Sequence, residues 1–172
     1  IITKEECKDI TVEEISKRIR KHFRYDDYKW QLDNKLVIDH PKRAQGLHSL
    51  LYKCPHCQTE SQMGSEGTKL FCNACGKTWE MDVYGQLHAL DGETEFSHIP
   101  DWSNWERECV RKEIEDGTYY FEDTVRVETL PGSLKFYYQG EGKLIQTPTE
   151  TRVECNYHGK PYVLTRSAMN LE

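Results

Sequence analysis

Residues 54 to 57 read CPHC and residues 72 to 75 read CNAC, so two Cys-x-x-Cys pairs, Cys54 with Cys57 and Cys72 with Cys75, flank a short polar stretch. Two residues between cysteines let a tight turn aim both sulfurs at one point. Four thiolates then complete a tetrahedron around zinc and leave no open coordination position. The separation, residues 58 to 71, is near the range expected of such sites. Pro55 stiffens the first turn, and Gly76 follows the last cysteine, where a backbone costly for other residues is often needed. The spacing predicts a four-cysteine zinc ribbon with a structural Zn²⁺. Redox chemistry would require a low-pKa pair at a helix start in a thioredoxin-like setting, and neither pair has one. A catalytic zinc would need a position for water. His56, between two cysteines, could only substitute for one of them, which nothing favours.

The remaining chemistry-bearing residues are weaker candidates. Cys109 shares an apolar helical face and reads as a small buried hydrophobe, and Cys7 is uninformative. Cys155 and His158 form a C-x-x-H across a hairpin turn, with no second half for another metal site. The seven cysteines are odd in number and four lie in tight pairs, which fits metal ligation in a reducing compartment better than a disulfide framework.

Charge narrows the partners. The net charge of -6 argues against a general nucleic-acid binder. Within the ribbon, Lys53, Lys69 and Lys77 are balanced by Glu60, Glu66 and Glu80, and thiolates around zinc add negative charge, so nucleic acid is not the expected ligand. The content, 37% hydrophobic and 30% charged, belongs to a soluble globular protein. No window suits a membrane-spanning helix and no signal peptide is visible, so a cytoplasmic chain is expected. Because the chain runs from Ile1 to Leu171-Glu172, and Leu-Glu reads as a cloning scar, a piece of a longer protein is expected.

The elements that must position these residues fall into three stretches, 1-50, 51-92 and 93-172. In the first, Thr11 and Glu14 form a capping box with Ile10 and Ile15 as a staple, and Val12, Ile15, Ile19 and Phe23 recur at helical spacing. The basic run from Lys17 to Arg24 lies on the opposite side. It could meet an anionic membrane, although a solvated face is the preferred reading. Further short helices are expected through Tyr28, Trp30 and Leu32 and through Leu47, Leu50 and Leu51. In the ribbon, strands are expected at 69-71, 78-81 and 86-89. The segment PDWSNWERECVRKEIEDG predicts an amphipathic helix with Trp102, Trp105, Cys109, Val110 and Ile114 on one face, Ser103 and Glu106 as caps, and Gly117 at its end. Trp79, Trp102 and Trp105 read as core anchors, the last two packing the helix on the ribbon or a sheet. After residue 125, strands at 125-130, 134-138, 143-147, 151-157 and 162-165, punctuated by Gly140, Gly142 and His158-Gly159, predict an antiparallel meander. The fold class expected is α+β: N-terminal helices, zinc ribbon, amphipathic helix and C-terminal antiparallel β meander.

The blocks YKCPHCQTE, KLFCNACGK and YGQLHALDGETEFSHIPDWSNWERECVRKEIEDG, preceded by TKEECKDITVEEI and YDDYKWQ, resemble the C-terminal region of bacterial, largely Firmicute, proteins of the 1-acyl-sn-glycerol-3-phosphate acyltransferase kind. The resemblance covers most of residues 3 to 130 and is looser beyond. It implies a non-catalytic accessory region following an N-terminal acyltransferase domain of the same parent, a transferase of phospholipid biosynthesis acting at the inner face of the membrane. The region would brace that domain or dock a protein partner such as a carrier protein, with membrane contact made through the parent. His22 and Asp27 copy the spacing of the His/Asp pair with which such enzymes activate the attacking hydroxyl. The chain lacks the accompanying phosphate-holding block, so no catalytic residue is carried over. The alternative expectation is a zinc-ribbon module that binds protein or nucleic acid unrelated to lipid chemistry.

Overall fold

In a computed structural model, residues 3, 4 and 6 to 168 are described; Ile1 and the Leu171-Glu172 end lie outside them. The chain is α+β and divides into two compact units, Ile1–Asn104 and Trp105–Glu172.

The first unit opens with α1 (Glu6–Asp9), α2 (Val12–Phe23) and α3 (Asp27–Asp33). Two side-chain caps set the helix starts: Thr11 Oγ1 accepts the Glu14 N–H at 3.2 Å, and Asp26 Oδ1 accepts the Lys29 N–H at 2.8 Å. The Glu14 carboxylate turns to Arg18 at 3.2 Å, so the expected box is only half made. Tyr28 and Gln31 of α3 pack at Gly85, where an added Cβ would lie 2.9 Å from Tyr28 Cδ1. Gln31 Nε2 donates to the carbonyls of Leu36 and Val83, fastening α3 to the turn at 82 to 86. The helix expected near residue 47 is a single 3-10 turn, Leu47–Ser49. Gly46, at φ +91°, precedes it, and the Gly46 N–H and His48 Nδ1 both bond Ser65 Oγ.

A four-stranded antiparallel sheet follows, in the order β1 (Met63–Glu66), β2 (Lys69–Cys72), β3 (Thr78–Met81), β4 (Leu87–Ala89). Strand β1 was not expected from its sequence. The registers Met63↔Cys72, Leu70↔Trp79 and Met81↔Leu87 put six buried side chains on one face. α4 (Ile99–Glu115) begins earlier than the expected caps: the His98 carbonyl accepts the Asp101 and Trp102 N–H groups, so Ser103 and Glu106 lie inside the helix. Pro100 suits that first turn, where its missing N–H costs nothing. Gly117, at φ +71°, ends the helix as expected, with the Thr118 N–H returning to the Glu113 carbonyl. No helix among the described residues is long and apolar enough to cross a membrane.

The second unit holds an antiparallel meander, β5 (Phe121–Thr129), β6 (Tyr137–Gln146), β7 (Glu150–Tyr157) and β8 (Lys160–Ser167). Here the expected turn at Gly140 and Gly142 is corrected: both lie within β6, which takes in residues 137 and 138 of one expected strand and 143 to 146 of the next, while 134 to 136 lie outside it. Gly140, at φ +119°, adjoins a bulge opposite Val127 and Glu128. At Gly142 a Cβ would meet Val127 Cγ2 at 2.7 Å and the Glu154 carbonyl at 2.8 Å, so the neighbouring strands exclude a side chain. The β7-β8 turn does fall at His158-Gly159, both at positive φ (50° and 76°) as a two-residue hairpin requires.

Candidate metal centre

Two copies of one local turn build the cysteine cluster. In the first, the Gln58 N–H returns to the Cys54 carbonyl at 2.8 Å; in the second, the Gly76 N–H returns to the Cys72 carbonyl at 2.9 Å. The residue after each second cysteine is left-handed, Gln58 at φ 60° and Gly76 at φ 79°. No atom lies within 4 Å of a Cβ built on Gly76, so glycine serves the backbone conformation there and no close approach. The bridge Lys53↔Glu60 closes the first turn, and β2 with β3 carries the second.

The turns aim Cys54, Cys57, Cys72 and Cys75 at a common centre, with all four Sγ atoms within 4.8 Å of one another. The separations Cys54–Cys75 and Cys57–Cys72 are 3.8 and 3.7 Å. A disulfide would need about 2.05 Å. A regular tetrahedron with metal-sulfur bonds of about 2.3 Å has an edge of about 3.8 Å. The cluster therefore fits a four-coordinate thiolate-bound ion, for which zinc and iron are the usual candidates. Among the described residues no other Cys, His, Asp and Glu group has metal-binding geometry, Cys155 and His158 included.

Cys54 and Cys72 are buried, Cys57 and Cys75 exposed. Burial pushes the Cys54 thiol up, and partial desolvation followed by hydrogen bonds with the Cys57 and Cys72 sulfurs does the same for the more exposed Cys75. The hydroxyl and then the backbone N–H of Thr59 pull Cys57 down to about 6. A cation at the centre of the four would offset the burial of their negative charge.

Around the cluster lies a polar shell that sequence reasoning missed. Lys77 is buried; its Nζ sits 3.0 Å from Glu95 Oε1 and donates to the Glu93 carbonyl at 2.6 Å. Glu95 also receives Trp79 Nε1 at 3.3 Å and faces His56 Nδ1 at 3.3 Å. His56 is therefore directed to a carboxylate and is not one of the ligands. Burial opposes ionisation of Glu95, but the N–H of its own backbone, Lys77 and Trp79 hold its carboxyl below the usual value. Lys53 is buried too and pairs with Glu60 at 3.0 Å. Of the ribbon's lysines only Lys69 is exposed. The sequence contains these residues, yet nothing in their spacing pairs them.

Trp102 supplies the link to α4. It is fully buried, meets Trp79 edge-on with ring centroids 4.9 Å apart, and donates Nε1–H to the Lys53 carbonyl at 3.0 Å, next to Cys54. The expected anchoring of α4 on the ribbon is made by this residue.

His22 and Asp27 are both exposed, and no hydrogen bond or ion pair joins them among the described residues. The neighbouring Asp26 instead takes a histidine, with His98 Nε2 at 2.7 Å from its Oδ2.

Models of known protein families, curated proteins and solved structures give no match to this chain.

Proposed function

We propose that this region is a structural zinc module without chemistry of its own. It would serve as the accessory part of a 1-acylglycerol-3-phosphate acyltransferase and brace that enzyme's catalytic domain or dock a protein partner. The observation that carries the zinc reading is the four-sulfur cluster, all within 4.8 Å, with two of its edges at 3.7 and 3.8 Å. Four protein ligands leave no position for a substrate or an activated water, which supports a structural over a catalytic ion. His56, the nearest candidate for a fifth role, is engaged with Glu95. A clamp of this kind supplies folding free energy to a small unit. Two of the ribbon's three lysines are buried and paired with glutamates, which supports a protein-facing over a phosphate-facing role. The acyltransferase assignment draws on the resemblance of residues 3 to 130 and on nothing in the geometry.

Elemental analysis of chain purified without chelator should give about one zinc per chain, with Cys72→Ser losing it and unfolding the ribbon. Iron in its place, or no bound metal, would remove the zinc reading. The parent is tested separately, by reading the sequence that encodes the residues before Ile1. A His/Asp pair followed by a phosphate-holding block is expected, and its absence would end the acyltransferase assignment while leaving the zinc module intact.

A further inference from the structure

We propose that α2 is a membrane-surface helix that lies in the headgroup layer of a bilayer rich in anionic lipid. The proposal goes beyond the zinc module and stands on the faces of this helix alone. Val12, Ile15, Ile19 and Phe23 recur at helical spacing along one stripe, which in a globular domain would face the core. Here no residue of α2 is buried, and Val12, Ile19 and Phe23 are 74%, 48% and 84% exposed. The helix holds its shape through its Thr11 cap and backbone bonds while presenting three of the four stripe residues outward, Ile15 being half-buried.

Charge selects the occupant. At 100° per residue, Arg18 and Arg20 fall on opposite flanks of the stripe, and Lys17, Lys21 and Arg24 lie on the far side. Arg18 is engaged by Glu14 at 3.2 Å and Glu6 at 3.6 Å. Lys17, Arg20, Lys21 and Arg24 are exposed and make no ion pair among the described residues. Glu13 and Glu14 occupy the first turn, where the helix dipole favours them, so positive charge gathers toward Phe23. An apolar protein groove without acidic walls would cover the stripe and leave these cations unmatched. An anionic bilayer matches both, taking the stripe at the acyl boundary while the long basic side chains extend to the phosphates.

The test is flotation of the full 172-residue chain, metal retained, with vesicles of phosphatidylcholine alone or containing about 30 mol% phosphatidylserine. Binding to the anionic vesicles only, weakened by salt, is expected. At about fivefold per basic residue, Lys17→Gln with Lys21→Gln should lower partitioning about 20- to 30-fold. Phe23→Asp should lower it about tenfold or more. Because these side chains are exposed, thermal melting and metal content should stay unchanged in both variants, which separates lost binding from lost folding. Absent binding, equal binding to neutral vesicles, or full binding by either variant would overturn the proposal. So would a dimer in sedimentation that Phe23→Asp dissolves, since a second copy would then be the occupant.

Discussion

Replacing Trp102 with phenylalanine tests whether folding of the first unit and filling of the metal centre are one process. The side chain is fully buried, and its Nε1–H is given to the carbonyl of Lys53 at 3.0 Å, one residue before Cys54. Phenylalanine keeps a ring against Trp79 but has no donor, so a buried carbonyl loses this partner at a cost of about 1–3 kcal/mol. The smaller ring also gives up part of an edge-on contact of the kind worth about 0.5–1.5 kcal/mol. The combined destabilisation spans about 1–4 kcal/mol and centres on about 2–3 kcal/mol. If the metal-free ribbon is unfolded, apparent zinc affinity carries the whole of that loss, at tenfold per 1.4 kcal/mol. Competition against a chelator of known affinity should then show zinc held about 30- to 150-fold more weakly, although no ligand has changed. Urea unfolding of the zinc-loaded chain should report a midpoint lowered in proportion. An apparent affinity within about twofold of the parent, together with a lowered midpoint, would refute the reasoning, because the site would then be preformed without its metal.

Two further perturbations probe the rest of the molecule. Burial works against ionisation of Asp82, but the N–H groups of Gln86 and Tyr84 and the His88 side chain hold its carboxyl below the usual value. A depressed carboxyl contributes stability that is present above its unfolded pKa and is lost as pH falls through the folded one. Asp82→Asn should therefore flatten the acid limb of stability below about pH 4 relative to the parent, with urea midpoints as the measure. An unchanged difference across that range would count against it. Gly142→Ala should destabilise the C-terminal sheet by about 1–3 kcal/mol, since the new Cβ meets the Glu154 backbone at 2.8 Å. Metal content should be untouched, and a melting profile like the parent's would contradict the crowding argument.

The parts of this molecule legible in its sequence are those decided locally. A Cys-x-x-Cys turn is complete within five residues, from the Cys54 carbonyl to the Gln58 N–H, so spacing alone exposed both halves of the candidate metal centre. Thr11 and Gly117 likewise act within one helical turn, and α2 and α4 followed from them. What escaped depends on the partner across a strand. Gly64 lies in β1 because the Phe71 ring fills the space a Cβ would take, 2.5 Å from its Cε2, and nothing in MGSE signals a strand. Gly140 and Gly142 read as a turn for the same reason: the bulge and the crowding that demand them come from β5 and β7. The Glu95 network joins residues 56, 77, 79 and 95 through tertiary contacts that no periodicity encodes.

The two units reach stability by different means, and that difference says where the metal matters. Fully buried Trp79, Trp102, Leu51, Leu70, Leu87 and Ile99 form the core of the first unit, beside Cys54 and Cys72. The strands of the first unit are only three or four residues long, so an ion held by the four cysteines would add a cross-link to their few ladder hydrogen bonds. The second unit has strands of eight to ten residues and, among the described residues, Ile145 as its buried hydrophobe. Its strength must come from long ladders and cross-strand pairs such as Lys143–Glu122 at 2.7 Å and Arg126 over the Tyr138 ring. If the four cysteines hold an ion, chelation should therefore collapse the first sheet and spare the ladder pairing of the second, because only the first would use the ion in place of strand length.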